Sequence, residues 1–169
     1  MEIKEFIYRI LHPRTINIHS KWSYPSCALS NFTAYTFYVD NIRCNCMEGF
    51  LQSLKFEDIR EQQEVCLLIG KEAKLRGQEK DWKTSQILYW QGISMKRSST
   101  DYQQLLEIAF LALGKNRKFR KALLGTKTKK IRHTIGDNSP CNTVLTEKEF
   151  CTILNKTRYE IQYDDAMPK

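Results

Sequence analysis

The stretch LSNFTAYTFYVDNIRCNCMEGFLQSLKF, Leu29 to Phe56, decides the fold, because its hydrophobic period changes halfway along. Phe37, Tyr38 and Val39 are residues that favour a strand, and Asp40-Asn41 is a turn signal. Ile42 to Cys46 reads as a returning strand. From Met47 onward, Met47, Phe50, Leu51 and Leu54 recur at helical spacing. The stretch therefore predicts a short β unit that passes directly into a helix.

On that helix Glu48, Gln52 and Lys55 stand at i, i+4 and i+7 and share one face. Met47, Leu51 and Leu54 occupy the adjoining apolar side. A carboxylate, an amide and an amine on the border of a core face can line a pocket; the same spacing also describes a solvent-facing Glu–Lys pair. Glu48 falls in the first turn, where the helix dipole favours its charged form and burial would favour the neutral one. The sequence leaves that balance open. Just upstream, residues 20–32 form a loop with Pro25 that ends in Ser30-Asn31-Phe32. Ser and Asn there suit either turn chemistry or hydrogen bonds to a ribose or base.

Working outward, residues 1–11 predict a short helix stopped near Pro13, and Ile16 and Ile18 predict a strand. Phe56 to Arg76 continues the helical pattern, with Gly77 as a C-cap. Gln78 to Ser99 reads as a loop with a short element around Leu88. Its aromatics, Trp82, Tyr89 and Trp90, can stack on a base or plug the core. Thr100 to Leu113 is an amphipathic helix and Phe119 to Leu124 a shorter one. Ile131 to Leu145 reads as a loop, in which His133 and Asp137 are candidates for a base or a water-positioning group. Thr146 to Glu149, T-E-K-E, is a capping box that opens a final helix running to about Arg158, followed by a frayed tail. The expectation is an α+β, helix-dominated single domain over 1–169, with its core at about 16–158 and a small antiparallel β unit near the N-terminus.

Composition narrows the function. The chain has 169 residues, 41% hydrophobic and 27% charged, as in an ordinary globular domain. No apolar run approaches the ~20 residues of a membrane span, and MEIKEFIYRILHP lacks the marks of a signal peptide. The six cysteines show no CxxC pair and no zinc spacing. These features predict an intracellular, cytoplasmic protein with free thiols and no membrane partner. No P-loop, Rossmann fingerprint, GxSxG or HExxH occurs, so no cofactor and no metal are expected. The net charge of +8 favours phosphate-bearing partners. It concentrates between Lys115 and Arg132, which suits a solvated face or a nucleic-acid contact.

The Leu29–Phe56 run resembles the signature of the NADAR superfamily, also called YbiA-like: an S-N-F motif, a short β unit, then a helix with E near its start and K-F near its end. YWQG at Tyr89–Gly92, NRKFRKALL at Asn116–Leu124 and TVLTEKEFCTIL at Thr143–Leu154 resemble later blocks of the family, and INIHSKWSYP at Ile16–Pro25 its lead-in. The resemblance covers roughly residues 16–158. It implies an N-glycosidase whose substrate carries ribose on an exocyclic amine: ADP-ribosylated guanine in nucleic acid, or a ribosylamino-pyrimidine phosphate of riboflavin synthesis. The net charge places the nucleic-acid substrate slightly ahead, with Lys115–Arg132 expected to border the pocket mouth. By position, Glu48 matches the acidic catalytic residue, and Lys55 the lysine of the K-F element, as a Schiff-base former or a charge contact. Asp137 stands nearest the aspartate of a later D-x-x-W-G element. Asn31, Ser30, Phe32, Tyr24, Gln52 and His133 are implied substrate contacts, with Trp90 as the aromatic platform and Trp82 second. Two departures stand out: Gly49 replaces a histidine that many members carry, and HTIGDNSP lacks the tryptophan of D-x-x-W-G. The rival reading is a module that binds ADP-ribose or an NAD-derived nucleotide without turning it over.

Overall fold

Asp40 and Asn41 both adopt positive φ, 48° and 65°, the turn geometry that matches the twist of a two-residue hairpin. They join β1 and β2 of the unit around which the chain packs, Phe37–Val39 and Ile42–Cys44, paired antiparallel with Phe37 opposite Cys44. In the computed structural model described here, covering residues 2–166, this hairpin leads into a helix at Met47–Ser53. The helices, in chain order, are α1 (Ile3–Leu11), α2 (Met47–Ser53), α3 (Ile59–Leu67), α4 (Lys71–Gln78), α5 (Thr100–Gly114), α6 (Arg117–Gly125) and α7 (Glu147–Ala166). Besides β1 and β2, the chain forms βN (Thr15–Asn17), which precedes them, β3 (Ile87–Trp90), β4 (Ile93–Lys96) and β5 (Lys130–Arg132). The fold is α+β, mostly helical, with small two-stranded sheets.

Local chemistry sets most helix starts. Asp58 accepts from the backbone N–H groups of Arg60 and Glu61, both at 2.9 Å, to open α3. Asn116 does the same for α6, and Ser99 for α5. The capping box of α7 is reciprocal: Glu149 N–H donates to Thr146 Oγ1 at 3.1 Å, and Thr146 N–H donates to Glu149 Oε2 at 2.8 Å. The core joins α2, α5 and α7. Phe50 packs edge-on against Trp90 at 5.2 Å, and Phe110 meets Phe150 at 5.9 Å. Arg97, almost fully buried, grips Glu149 through both guanidinium nitrogens and donates from Nε to Thr143 O at 3.0 Å. That clamp holds the 133–145 segment against the body.

Five expectations need correction. The helical run from Phe56 to Arg76 is two helices, broken at Gly70, whose φ of 54° no right-handed helix can contain. Gly77 is the penultimate residue of α4 instead of its C-cap. The segment 78–99 contains the β3–β4 hairpin, with Leu88 paired to Met95. Residues 130–132, read mainly as the edge of a loop, form a strand parallel to βN. The last helix runs past Arg158 to Ala166, because Ile161 is buried and a Cβ at Gly114 would lie 3.3 Å from it. The end of the expected frayed tail, residues 167–169, lies outside the described residues. Among the described residues, no helix is long and apolar enough to cross a membrane.

Candidate active site

The helix α2 forms the floor of a cavity of about 770 Å³, within the usual range for small-molecule sites. One wall is the Ser30–Phe32 loop. A second is the end of α4 with the segment to Lys83, and the third is the segment from His133 to Leu145. The loop is tied to the helix start: Glu48 N–H donates to Asn31 O at 2.9 Å. The start itself is capped by Cys46, whose Sγ accepts from Gly49 N–H at 3.2 Å. A side chain at Gly49 has no room, since its Cβ would lie 2.7 Å from Leu68 O. Close packing of α2 on the end of α3 thus accounts for glycine after the glutamate.

Glu48 is 7% exposed and lines the cavity. Its Oε1 accepts from Gln52 Nε2 at 2.9 Å. Burial pushes its pKa up; the Gln52 hydrogen bond and the charges of Lys74 and Lys55 pull the other way. Burial therefore outweighs the forces that favour the carboxylate. Lys55, one helical turn beyond Gln52, donates from Nζ to Gly77 O at 3.1 Å and lies 6.0 Å from the Trp82 ring centroid. Burial lowers its pKa to about 8, opposed by Glu48 and assisted by Lys83 and Lys74. At pH 7 about a tenth of Lys55 is then the free amine. A carboxyl whose pKa burial raises and an amine whose pKa burial lowers line the same cavity.

His133 also lines the cavity. Its Nδ1 lies 2.9 Å from Ile18 O, a contact that fixes the tautomer with the proton on Nδ1. Burial lowers its pKa, against the Ile18 carbonyl, so the ring is neutral with an unprotonated Nε2. Asp137 is exposed at the rim, where its Oδ1 accepts from Ser139 N–H at 2.8 Å. Ser30, Asn31, Phe32, Gln52 and Trp82 line the cavity too.

Other expected residues fall elsewhere. Trp90 does not reach the cavity: it is buried against Phe50, and its Nε1 donates to Asp40 Oδ2 at 2.7 Å. Its position in β3 turns it, with Leu88, toward the core. The cavity's tryptophan is Trp82. Tyr24 is exposed beside Gly125, also outside the cavity. None of the residues from Lys115 to Arg132 lines it. The apolar side of α6, with Phe119, Ala122 and Leu123, is spent on the core, and its basic side faces away. The cations that do line the cavity are Lys55, Lys74, Lys80 and Lys83. Lys80 is bound to Glu61 at 3.1 Å, and Lys74 lies 5.8 Å from the Phe32 ring centroid. The sequence reading missed Lys74, Lys83 and Gly77, which lie on or just beyond a helix whose position over α2 has no local signal.

This arrangement of α2, its loops and the small sheets is a YbiA-like fold. The NMR structure of the E. coli protein YbiA matches over 94% of this chain and 90% of that one, with a TM-score of 0.65 at 19% identity. Residues 23–159 match the family described as bacteriophage protein GP30.3, and the chain belongs to that family. It is 34% identical over 148 residues to an uncharacterized 17.1 kDa protein in the Gp30-rIII intergenic region of Enterobacteria phage T4, covering 85% of this chain and 96% of that protein.

Proposed function

We propose that the chain is an N-glycosidase that cleaves the bond between ribose and an exocyclic amine. The observation that carries this reading is the placement of a buried Glu48, its pKa raised, and a Lys55 with its pKa lowered to about 8 in one cavity. In a ribosylamine, the nitrogen lone pair expels the ring oxygen from the anomeric carbon. Glu48 gives that oxygen its proton. The neutral Lys55 amine then adds to the anomeric carbon of the open imine. Proton transfer to the exocyclic nitrogen, through Glu48, lets the base leave as its free amine. Lys55 is left as a Schiff base, which water hydrolyses to the sugar aldehyde and the free lysine.

The substrate is a phosphorylated ribosylamine. Lys74 and Lys83 raise the positive potential at the cavity and would meet its phosphates. Trp82 offers the apolar surface beside Lys55. Because Lys115–Arg132 does not line the cavity, that stretch does not favour a nucleic-acid polymer over a free nucleotide as substrate. ADP-ribosyl guanine in DNA and a free ribosylamino-pyrimidine phosphate are tested side by side. Release of sugar phosphate from either, abolished by Glu48→Gln with binding retained, supports the reading. Binding of ADP-ribose with no base released by the wild type replaces the enzyme with a binding module.

A further inference from the structure

Three contacts meet at Gly77. Its carbonyl accepts from Lys55 Nζ at 3.1 Å. It is among the last carbonyls of α4, which have no partner within the helix and where a cation is favoured. Where a side chain would stand, the Gln52 amide packs instead: a Cβ at position 77 would lie 1.9 Å from Gln52 Oε1 and 2.8 Å from Gln52 Cβ. That amide, 7% exposed, donates from Nε2 to Glu48 Oε1 at 2.9 Å. Its Oε1 is buried and has no hydrogen-bond partner. Packing against Gly77 therefore sets which way the amide turns. Glycine is a poor helix former, so its place inside α4 calls for a packing reason of this kind.

We propose that Gly77 is a positioning residue of the site: its bare Cα seats the Gln52 amide against the Glu48 carboxyl, and its carbonyl seats the Lys55 amine. The proposal rests on reading Glu48 and Lys55 as the reacting pair. Gly77 offers no group to the substrate; it acts through the Gln52 amide that holds the Glu48 carboxyl and through the carbonyl that holds the Lys55 amine. One backbone position thereby fixes the acid and the amine relative to each other.

Gly77→Ala tests this. The charges that act on Glu48, those of Lys55 and Lys74, are all retained, as are those of Glu48, Lys74 and Lys83 that act on Lys55. The added methyl clashes, and the clash resolves in one of two ways. If Gln52 turns away, Glu48 loses the bond that lowers its pKa, and its carboxyl titration, followed by carbon-13 NMR, moves further up. If α4 retreats, the Lys55 titration moves. In either case turnover falls on the order of tenfold, mainly in kcat. Unchanged titrations of both groups in a folded variant would overturn the proposal. Should Gly77→Ala fail to fold, Gln52→Gly and the double variant carry the test, because an alanine at 52 would keep the Cβ that stands 2.8 Å from the new methyl. The double variant removes the contacts with residue 52 and must titrate like Gln52→Gly alone; a further change on adding Gly77→Ala overturns the proposal. These titrations need no substrate. A wild type that cleaves nothing, with titrations that move as stated, sinks the N-glycosidase reading and leaves the positioning role standing.

Discussion

The backbone N–H of Glu48 donates to the carbonyl of Asn31 at 2.9 Å, so the Ser30–Phe32 loop and the first turn of α2 are one unit. The bond uses the Asn31 main chain, and Asn31 lines the cavity. Asn31→Ala should raise KM several-fold and change stability by less than about 0.5 kcal/mol, as for a substitution that breaks no packing. A large drop in Tm with KM unchanged would make Asn31 a structural residue only.

Glu48 should be a burden on stability at neutral pH. Its folded pKa is raised, so between its unfolded and folded values the native state binds more protons than the unfolded one. Stability therefore falls as pH rises through that window. Glu48→Gln removes the titration and should raise Tm at pH 7 by roughly 2–8 °C. A lower Tm for the variant would show that the carboxylate is a net stabilising group.

Lys55 has the opposite linkage. Its folded pKa, about 8, is depressed, so stability rises as pH climbs through the window above 8 toward the unfolded value. Turnover by the proposed route needs this amine neutral and Glu48 protonated, which gives a bell-shaped pH profile. Borohydride added during turnover should fix a sugar on Lys55, seen as a mass increase on its peptide. Lys55→Arg should give no adduct. An active enzyme that gives no adduct at any pH would replace the Schiff base with direct attack by water.

Lys74→Ala with Lys83→Ala should raise KM at least tenfold for a phosphorylated ribosylamine and little for its dephosphorylated form. Lys127, Lys129 and Lys130 lie off the cavity. Their triple replacement by Ala should leave cleavage of an isolated nucleotide substrate unchanged. A loss confined to long DNA, steep in salt, would mark the Lys115–Arg132 stretch as a polymer contact.

The parts legible in the sequence are those with local signals. Asp40-Asn41 marks the β1–β2 turn, the period of Met47, Phe50, Leu51 and Leu54 marks α2, and T-E-K-E marks the start of α7. Helical spacing puts Glu48 and Gln52 on one face of α2; Lys55, expected on the same helix, lies in the turn after its end at Ser53, and all three line one cavity. What the sequence could not reveal depends on distant partners. The strand at Lys130–Arg132 exists because it pairs with Thr15–Asn17. Trp82 and Trp90 were told apart only by the β3–β4 pairing, which turns Trp90 inward. Gly77 has the look of a helix stop; its meaning lies in Gln52, 25 positions earlier, and in Lys55.

The most direct measurement of the central claim is base release from ADP-ribosyl guanine and from a ribosylamino-pyrimidine phosphate, by wild type and Glu48→Gln, with substrate binding measured in parallel. The wild type should free the base from at least one of them, and Glu48→Gln should bind that substrate with similar affinity while its turnover falls by on the order of 10³-fold or more. Base release by Glu48→Gln at the wild-type rate, or binding by the wild type with no release from either substrate, would contradict it.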